Sequence, residues 1–140
     1  MDALSSVFLL AKELRRHLHE LLAHEQWAVD AGFRPPCLGV LAVVAATQPV
    51  SQRQIGERLG LDASDVVGVL DILEEAGLVA RGQDPHDRRR HAVTLTAGGE
   101  KAAEHVAHLR AVAEDRALAR LAPEERHQLA ALLERALSGP

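Results

Sequence analysis

The sequence predicts a mainly α-helical fold with one small β-hairpin. Three observations lead to this prediction: apolar residues recur at helical spacing over most of the chain, only two short β-prone runs occur between them, and aromatic residues make up 2%. The 140 residues have the length of one domain, and their apolar fraction of 47% is enough for a core of Leu, Val and Ala. We therefore expect helices packed on helices around a single core.

The first element is a long amphipathic helix, predicted from about residue 4 to about residue 30. Its apolar positions follow the helical repeat and are Leu4, Val7, Phe8, Ala11, Leu14, Leu18, Leu21 and Leu22. Gly32 and the pair Pro35-Pro36 end this helix and open the next one. Residues 37–47 are almost wholly apolar, so they are predicted to form a buried helix that is too short to span a membrane.

Two short helices joined by a tight turn follow. Ser51 and Gln54 have the spacing of a capping box, which starts the first helix. Asp62 or Ser64 caps the second helix, and a glycine ends each of the two. The apolar positions of the second helix are Val66, Val67, Val69, Leu70 and Leu73. This arrangement is a helix-turn-helix.

The chain changes character at Leu78. LVARG and HAVTLT are β-prone runs, and the QDPHDRRR between them has the Asp-Pro pair and the charges of a hairpin tip. A helix-turn-helix followed by a β-hairpin with a basic tip is a winged helix-turn-helix. We therefore assign residues 35–96 to a winged helix lobe.

Two further helices complete the chain. Thr96 can cap the first of them, and Pro123 begins the second. Together with the first helix of the chain, they carry more apolar surface than a small winged lobe can cover. We therefore predict one domain over 1–140, in which residues 1–34 and 97–140 form the dimerisation helices of a two-fold homodimer.

The charges are unevenly distributed. The net charge of −4 gives no overall positive field. A local cluster of four arginines nevertheless lies between residues 81 and 90, where Asp84 and Asp87 alone oppose it. The four are Arg81, Arg88, Arg89 and Arg90. This local basic cluster is more informative about partners than the net charge.

Several classes of protein are disfavoured. One cysteine excludes an internal disulfide framework and a multi-thiolate metal site. The N-terminal segment lacks the pattern of a signal peptide or a membrane span, so we expect a cytoplasmic protein that does not bind a membrane. We find no glycine-rich phosphate loop, nucleophile elbow or zinc-hydrolase signature, and therefore predict no enzyme activity and no cofactor.

Three motifs follow one another up to Gly99: Gly-Leu-Val-x-Arg, then Asp-Pro-x-Asp-Arg-Arg, then Val-x-Leu-Thr-x-x-Gly. In this order and spacing they resemble the MarR family of bacterial transcriptional regulators, and the length and helix layout extend the resemblance over the whole chain. The resemblance implies a homodimer that presents a recognition helix to the major groove of double-stranded DNA and a wing to the minor groove. Many members are repressors that a small anionic or phenolic ligand releases, and that ligand binds between the dimerisation helices and the DNA-binding lobe.

The resemblance places DNA contacts at the wing and at both helices of the helix-turn-helix. Arg89 would insert into the minor groove, and Asp87 would steady the hairpin. The remaining expected DNA-binding residues are Gln52, Arg53, Gln54, Ser64, Asp65, Gly68, Arg88 and Arg90. A solvated charged hairpin and an ordinary surface helix are the alternatives for the wing and for residues 52–54.

The second helix departs from the family pattern. Ser64 keeps a hydroxyl group near its start, but positions that often carry hydroxyl or basic groups are Asp65, Val67, Gly68 and Ile72. Bidentate reading of guanine needs Arg or Lys, and this helix has neither. Either recognition depends on the wing and on DNA shape, or the affinity is modest, or the chain is a small-molecule or protein-binding module that has lost DNA reading.

The junction of the first two helices is the candidate ligand site. Trp27 could form the floor of an aromatic pocket together with Phe33, while Arg34 or His24 pairs with an anionic group of the ligand. Core packing of the same residues is an equal alternative.

Two sensor functions remain as alternatives. A zinc site could form if two distant helices approach each other, and its ligands would be Glu20, His24, His105 and His108. Cys37 could sense an oxidant because Arg34 and a helix start lie beside it. Surface histidines and a buried, inert thiol are the favoured interpretations.

Overall fold

The computed structural model describes residues 1–139, which form seven α-helices and one two-stranded antiparallel sheet. The elements are α1 (Ala3–Ala23), α2 (Gln26–Asp30), α3 (Pro35–Thr47), α4 (Gln52–Leu59), α5 (Ala63–Glu75), β1 (Val79–Gln83), β2 (His91–Leu95), α6 (Ala97–Ala117) and α7 (Pro123–Leu137). The predicted mainly helical fold with one hairpin is confirmed. Within the described residues, no helix is both long and apolar enough to cross a membrane.

The prediction of one continuous helix to about residue 30 is wrong, because α1 ends at Ala23. The backbone N–H of His24 donates to the Leu21 carbonyl oxygen at 3.2 Å and closes the last turn. The short helix α2 follows, and Gly32 at φ +73° then turns the chain into α3. The break between α1 and α2 brings Glu25 beside α6, where it forms part of the site described below.

Helix α3 is the centre of the core, as predicted for residues 37–47. Pro35 lies in its first turn, where the missing N–H costs no hydrogen bond. The helix packs against α4, α5 and α6. Its buried residues are Cys37, Leu38, Val40, Leu41 and Val44. The core is therefore built from aliphatic side chains on packed helices.

Helices α4 and α5 form the predicted helix-turn-helix. The Ser51 hydroxyl accepts from the backbone N–H of Gln54 at 3.1 Å, and Gln54 Oε1 accepts from the N–H of Ser51 at 3.0 Å. This reciprocal pair is the predicted capping box. Gly60, at φ +65°, ends α4. Of the two candidate caps of α5, Asp62 is the one used, and its Oδ1 accepts from the N–H of Asp65 at 2.8 Å.

Strands β1 and β2 form the predicted wing. The register runs from Val79 opposite Leu95 to Gln83 opposite His91. The backbone of Val50 exchanges two hydrogen bonds with Val93 of β2, so the hairpin is attached to the segment just before α4. Residues 84–90 form the hairpin tip.

Helices α6 and α7 begin as predicted. The Thr96 hydroxyl oxygen accepts from the N–H of Gly99 at 3.0 Å, and Pro123 lies in the first turn of α7. Helix α6 packs along α1, whereas α7 buries no residue. The N-terminal half of α1 and the outer part of α7 leave large apolar side chains exposed: Leu4, Val7, Phe8, Leu9, Leu132 and Leu137.

Candidate nucleic-acid interface

Acidic residues shape the hairpin tip. Asp84 Oδ1 accepts from the N–H of His86 at 2.8 Å, and the N–H of Asp84 donates to the carbonyl oxygen of Arg90 at 2.8 Å. Asp87 Oδ1 accepts from the N–H of Arg89 at 3.0 Å and from Arg89 Nε at 3.3 Å. These two hydrogen bonds lower the pKa of the Asp87 carboxyl. The tip therefore has a defined shape before any partner binds.

The three arginines of the tip, Arg88, Arg89 and Arg90, are exposed. The Arg89 side chain is 91% exposed although its Nε contacts Asp87. An exposed ion pair of this kind contributes little stability, so it does not prevent the guanidinium group from reaching a phosphate or a groove. The tip therefore presents three cationic groups to a partner.

Arg81, the fourth arginine of the cluster, is engaged by α5. Its Nη2 lies 2.5 Å from Asp71 Oδ1 and 3.2 Å from Glu74 Oε1, and its backbone N–H donates to Glu74 Oε2 at 3.3 Å. Its contacts with Glu74 and Asp71 raise the pKa of Arg81, and the same guanidinium group lowers the pKa of Glu74. Two carboxylates from outside residues 81–90 therefore oppose the basic cluster in addition to Asp84 and Asp87.

The outer face of α5 begins with polar residues. Ser64 and Asp65 are exposed, and Gly68 is half-buried. The Ser64 hydroxyl donates to Asp62 Oδ1 at 2.8 Å, so its proton is already used in the cap. Between Ala63 and Glu75 there is no Arg or Lys. This face therefore offers acceptors and apolar groups to a base edge and no cation.

Val67 also belongs to this outer face. The sequence places it among the apolar positions of α5 and also among the positions that often carry hydroxyl or basic groups in the family. It is 40% exposed, whereas Val66 and Val69 are buried. The reason is the helical period, because Val67 lies three residues after Ser64 and shares its face. Val67 is therefore an apolar residue on the outer face of α5, together with Ser64.

The start of α4 contributes one exposed cation among its three candidate residues. Gln54 uses its side-chain oxygen in the capping box. Gln52 Oε1 is buried and has no hydrogen-bond partner within the described part of the chain. The Arg53 side chain is 88% exposed and pairs only with Glu57, one turn along the same helix, at 2.9 Å. Of the three, Arg53 is the residue that can reach a phosphate.

Arg53 joins the wing and α5 into one surface. A polar cleft of about 460 Å³ lies between α4 and the tip end of the hairpin, and its lining includes Ser51, Arg53, Gln54, Glu57, Asp84, Arg90 and His91. A mainly apolar cleft of about 350 Å³ lies between α4 and α5, and its lining includes Gln52, Arg53, Gly56, Leu61, Ala63 and Val67. Arg53 and its ion-pair partner Glu57 line both clefts, so these two residues lie between the hairpin and the outer face of α5.

The structure brings together two of the four predicted ligand residues. The ring centroids of Trp27 and Phe33 are 5.2 Å apart in an edge-to-face arrangement. His24 and Arg34 are exposed. A cavity of about 240 Å³ adjoins Phe33, and its other lining residues are His19, Leu22, Ala23, Ala28 and Val29. The aromatic pair thus lies where α1 and α2 meet.

Glu25 was not predicted from the sequence, although it organises this junction. Its Oε2 accepts from Trp27 Nε1 at 3.1 Å and lies 3.0 Å from His105 Nε2. The rings of Trp27 and His105 are also in edge-to-face contact, with centroids 5.7 Å apart. The hydrogen bond from His105 lowers the pKa of the Glu25 carboxyl. One carboxylate therefore fixes the indole of Trp27 to α6.

The two sensor alternatives are not supported by the geometry. Among residues 1–139, no three His, Cys, Asp or Glu side chains form a group that could hold a metal ion, so Glu20, His24, His105 and His108 do not converge. The Cys37 side chain is fully buried, and burial raises the pKa of its thiol. A buried thiol with a raised pKa is a poor nucleophile, as expected for an inert core cysteine.

Known proteins are similar to this chain in sequence and in the arrangement of its helices and strands. The sequence model of the MarR family matches residues 31–90. The uncharacterized HTH-type transcriptional regulator YkoM of Bacillus subtilis is 36% identical over 107 residues, which are 76% of this chain and 70% of that protein. The putative transcriptional regulatory protein for the hcr operon of Thauera aromatica is 33% identical over 132 residues, which are 90% and 80% of the two chains.

A solved structure is also similar to this chain in fold and in sequence. The crystal structure of CouR from Rhodococcus jostii RHA1, bound to p-coumaroyl-CoA, matches with a TM-score of 0.73 and 30% sequence identity. The match covers 96% of this chain and 94% of CouR. The chain therefore belongs to the MarR family of transcriptional regulators.

Proposed function

We propose that this chain is a repressor that binds a pseudo-palindromic DNA operator as a homodimer and releases it when a small molecule binds. One observation carries the DNA-binding part: the exposed arginines of the hairpin tip lie at one end of a surface that Arg53 extends to α5. Cationic side chains supply affinity through phosphate contacts. Guanidinium groups are also attracted to the negative potential of a narrow minor groove.

Each part of this surface has its own role in the proposal. Arg89 enters the minor groove, and Asp87 keeps the tip in shape by accepting from its backbone. Arg88 and Arg90 contact phosphates beside it, and Arg53 contacts the phosphate between the wing and α5. The base edges of the major groove then face Ser64, Asp65 and Gly68. Residues 35–96 form the DNA-binding lobe.

The homodimer is proposed from the apolar surface of the terminal helices. Phe8 is 68% exposed and Leu137 is 85% exposed. An apolar groove of about 290 Å³ lies between α1, α6 and α7, and its lining includes Leu10, Leu14, Leu18, Leu118, Leu129 and Leu133. A second copy would cover this surface through residues 1–34 and 97–140. Two-fold symmetry would then place the two wings on half-sites ~34–36 Å apart.

The proposed effector is a phenolic or anionic small molecule that binds at the junction of α1, α2 and α6. The edge-to-face pair of Trp27 and Phe33 offers an aromatic surface, and the exposed Arg34 and His24 offer groups that can pair with an anion. The relative CouR, which is bound to p-coumaroyl-CoA, supports this class of ligand.

A second candidate function is a small-molecule or protein-binding module on the same fold that does not read DNA. The observation that favours it is the outer face of α5, which exposes Asp65 and carries no cation. In that case, the substitutions Asp65→Thr and Gly68→Arg together should create DNA affinity that the wild type lacks.

The test compares wild type and Arg89→Ala by fluorescence anisotropy on the duplex that flanks the protein's own gene. Loss of the groove contact in both subunits is expected to weaken binding at least about tenfold while sedimentation still shows a dimer. The matched control is Arg120→Ala, an exposed arginine between α6 and α7, which should keep the wild-type affinity. Unchanged affinity of Arg89→Ala would contradict the role of the wing. DNA binding that appears only after Asp65→Thr and Gly68→Arg would favour the second candidate.

A further inference from the structure

An exposed apolar residue on the outer face of α5 indicates which base this helix contacts. We propose that Val67 recognises a thymine through its C5-methyl group, so that α5 selects an A·T base pair by apolar contact. The proposal rests on the DNA binding proposed above and adds the kind of base that α5 reads.

The first argument is the position of Val67. Its side chain is 40% exposed, whereas Val66 and Val69 on either side of it are each 1% exposed. Ser64, one turn earlier, and Asp71, one turn later, lie on the same face. Packing of the core does not require a valine at this position, because its side chain points away from the core.

The second argument is the space beside Val67. A Cβ atom built on Gly68 would have no heavy atom of another part of the chain within 4 Å. Val67 also lines the mainly apolar cleft between α4 and α5. A base edge can therefore approach the helix backbone closely at Gly68 and place a methyl group against the side chain of Val67.

The third argument is the charge of the neighbouring residues. Asp71 and Glu74, which would repel DNA, are both paired with Arg81. Because α5 carries no Arg or Lys, it cannot form the bidentate contact by which guanine is usually recognised. Thymine is the base that presents an apolar group in the major groove, and apolar side chains contact that methyl group. Of the readable features in the groove, the thymine methyl is thus the one that matches Val67.

The experiment removes this methyl group from the DNA alone. The wild-type protein first selects its preferred duplex from a random library, and each thymine is then replaced by deoxyuridine symmetrically in both half-sites. Replacement of the recognised thymine is expected to weaken binding about fourfold per half-site, and about sixteenfold for the pair, which is the effect of one buried methyl group at each. All other thymine replacements should have smaller effects.

Variants of the protein test the same contact from the side of Val67. Val67→Ala should discriminate between the thymine and deoxyuridine duplexes less than the wild type and less than Val67→Thr, because both γ-methyl groups are removed and only the Cβ atom is left to contact the thymine methyl. Val67→Thr keeps one methyl group and should retain part of the discrimination, which guards against a loss that is due to misfolding. The matched control is Val29→Ala, a valine of α2 that is 52% exposed, and it should discriminate as the wild type does.

The outcomes separate this inference from the proposed function. A wild-type protein that selects a duplex but tolerates every deoxyuridine would overturn the role of Val67 and leave DNA binding intact. Full discrimination by Val67→Ala would overturn it equally. A wild-type protein that selects no duplex would overturn both the inference and the function on which it rests.

Discussion

Arg81 of β1 and Asp71 of α5 form an ion pair with a distance of 2.5 Å between Nη2 and Oδ1. Glu74, one turn after Asp71, shares the same guanidinium group. The Arg81 side chain is only 26% exposed, so this network is better shielded from solvent than the other ion pair of the hairpin, in which Arg89 is 91% exposed. The network fixes the base of the wing to α5 and neutralises two carboxylates close to the proposed DNA surface.

Removal of Arg81 should therefore weaken DNA binding, because two carboxylates would lose the cation that neutralises them. Arg81→Ala leaves Asp71 and Glu74 unpaired, and we expect repulsion of the phosphates to lower affinity about tenfold or more, most strongly at low salt. Anisotropy on the selected duplex measures the effect. Adding Asp71→Asn and Glu74→Gln to Arg81→Ala should restore most of the affinity. If the triple variant binds as weakly as Arg81→Ala, the network acts through geometry and the charge argument is incorrect.

Gly68 and Gly99 should respond in opposite directions to alanine. The place of a Cβ at Gly68 is open and its backbone is helical, so Gly68→Ala is expected to raise the free energy of unfolding by about 0.5–1 kcal/mol. At Gly99, the carbonyl oxygen of Leu78 occupies the place of the added Cβ, and Gly99→Ala should destabilise the fold. Urea unfolding of the two variants and the wild type checks this. A destabilised Gly68→Ala would show that α5 is constrained in a way that the structure does not reveal.

Glu25 should make stability depend on pH in the acid range. The hydrogen bonds from His105 and Trp27 hold the pKa of this carboxyl below its ordinary value of 4.5. Because the folded pKa is the lower one, the unfolded state binds more protons between the two values. The stabilisation is complete above the unfolded pKa and is lost as pH falls through the folded pKa.

The variant Glu25→Gln isolates this contribution. Its free energy of unfolding should fall less steeply than that of the wild type as pH drops below about 4.5. Fluorescence of Trp27, the one tryptophan of the chain, follows unfolding directly. Glu124→Gln, an exposed carboxylate of α7, is the control and should keep the wild-type pH profile. Parallel profiles of Glu25→Gln and wild type would mean that Glu25 is not stabilised by His105 in solution.

The exposed apolar residues of α1 should control assembly. Phe8→Asp introduces a charge into the proposed dimer surface, and burying an unpaired charge there is strongly unfavourable, so we expect a monomer in sedimentation velocity. Ala80→Asp places a charge on an exposed residue of β1, outside residues 1–34 and 97–140, and should leave the dimer intact. A dimeric Phe8→Asp would require a different interface.

Effector binding should be visible at Trp27. Titration with phenolic carboxylic acids is expected to change the fluorescence of this residue and to lower DNA affinity over the same concentration range. Arg34→Ala should weaken the response to the carboxylates more than the response to uncharged phenols, because it removes the candidate partner of the anionic group. An equal response to both classes in the wild type would argue against a role for Arg34.

Features with a local cause could be predicted from the sequence. The capping box of Ser51 and Gln54 and the cap at Thr96 depend on residues three apart, so their spacing alone indicated where α4 and α6 begin. The break at His24 was missed because the apolar residues of α1 and α2 continue one helical pattern across it. Periodicity records which side of a chain is buried and does not record a change in helix direction.

The ionic contacts could not be predicted in the same way, because they depend on the tertiary approach of distant elements. Glu25 meets His105 only after α2 has turned toward α6, and nothing near Glu25 in the sequence indicates this. The contacts of Arg81 were partly indicated by the sequence, because Asp71 and Glu74 lie on one face of a helix that leads directly into β1. The apolar positions of α5 did not by themselves separate its two faces, because Val67 is exposed whereas Val66 and Val69 are buried.

The most direct measurement of the central claim is the affinity of the wild-type protein for its selected duplex and for a scrambled duplex over a series of salt concentrations. The account predicts a preference of at least about a thousandfold for the selected duplex, with a logarithmic salt slope close to −0.9 per phosphate contacted. Equal affinity for the two duplexes over the whole series would contradict it.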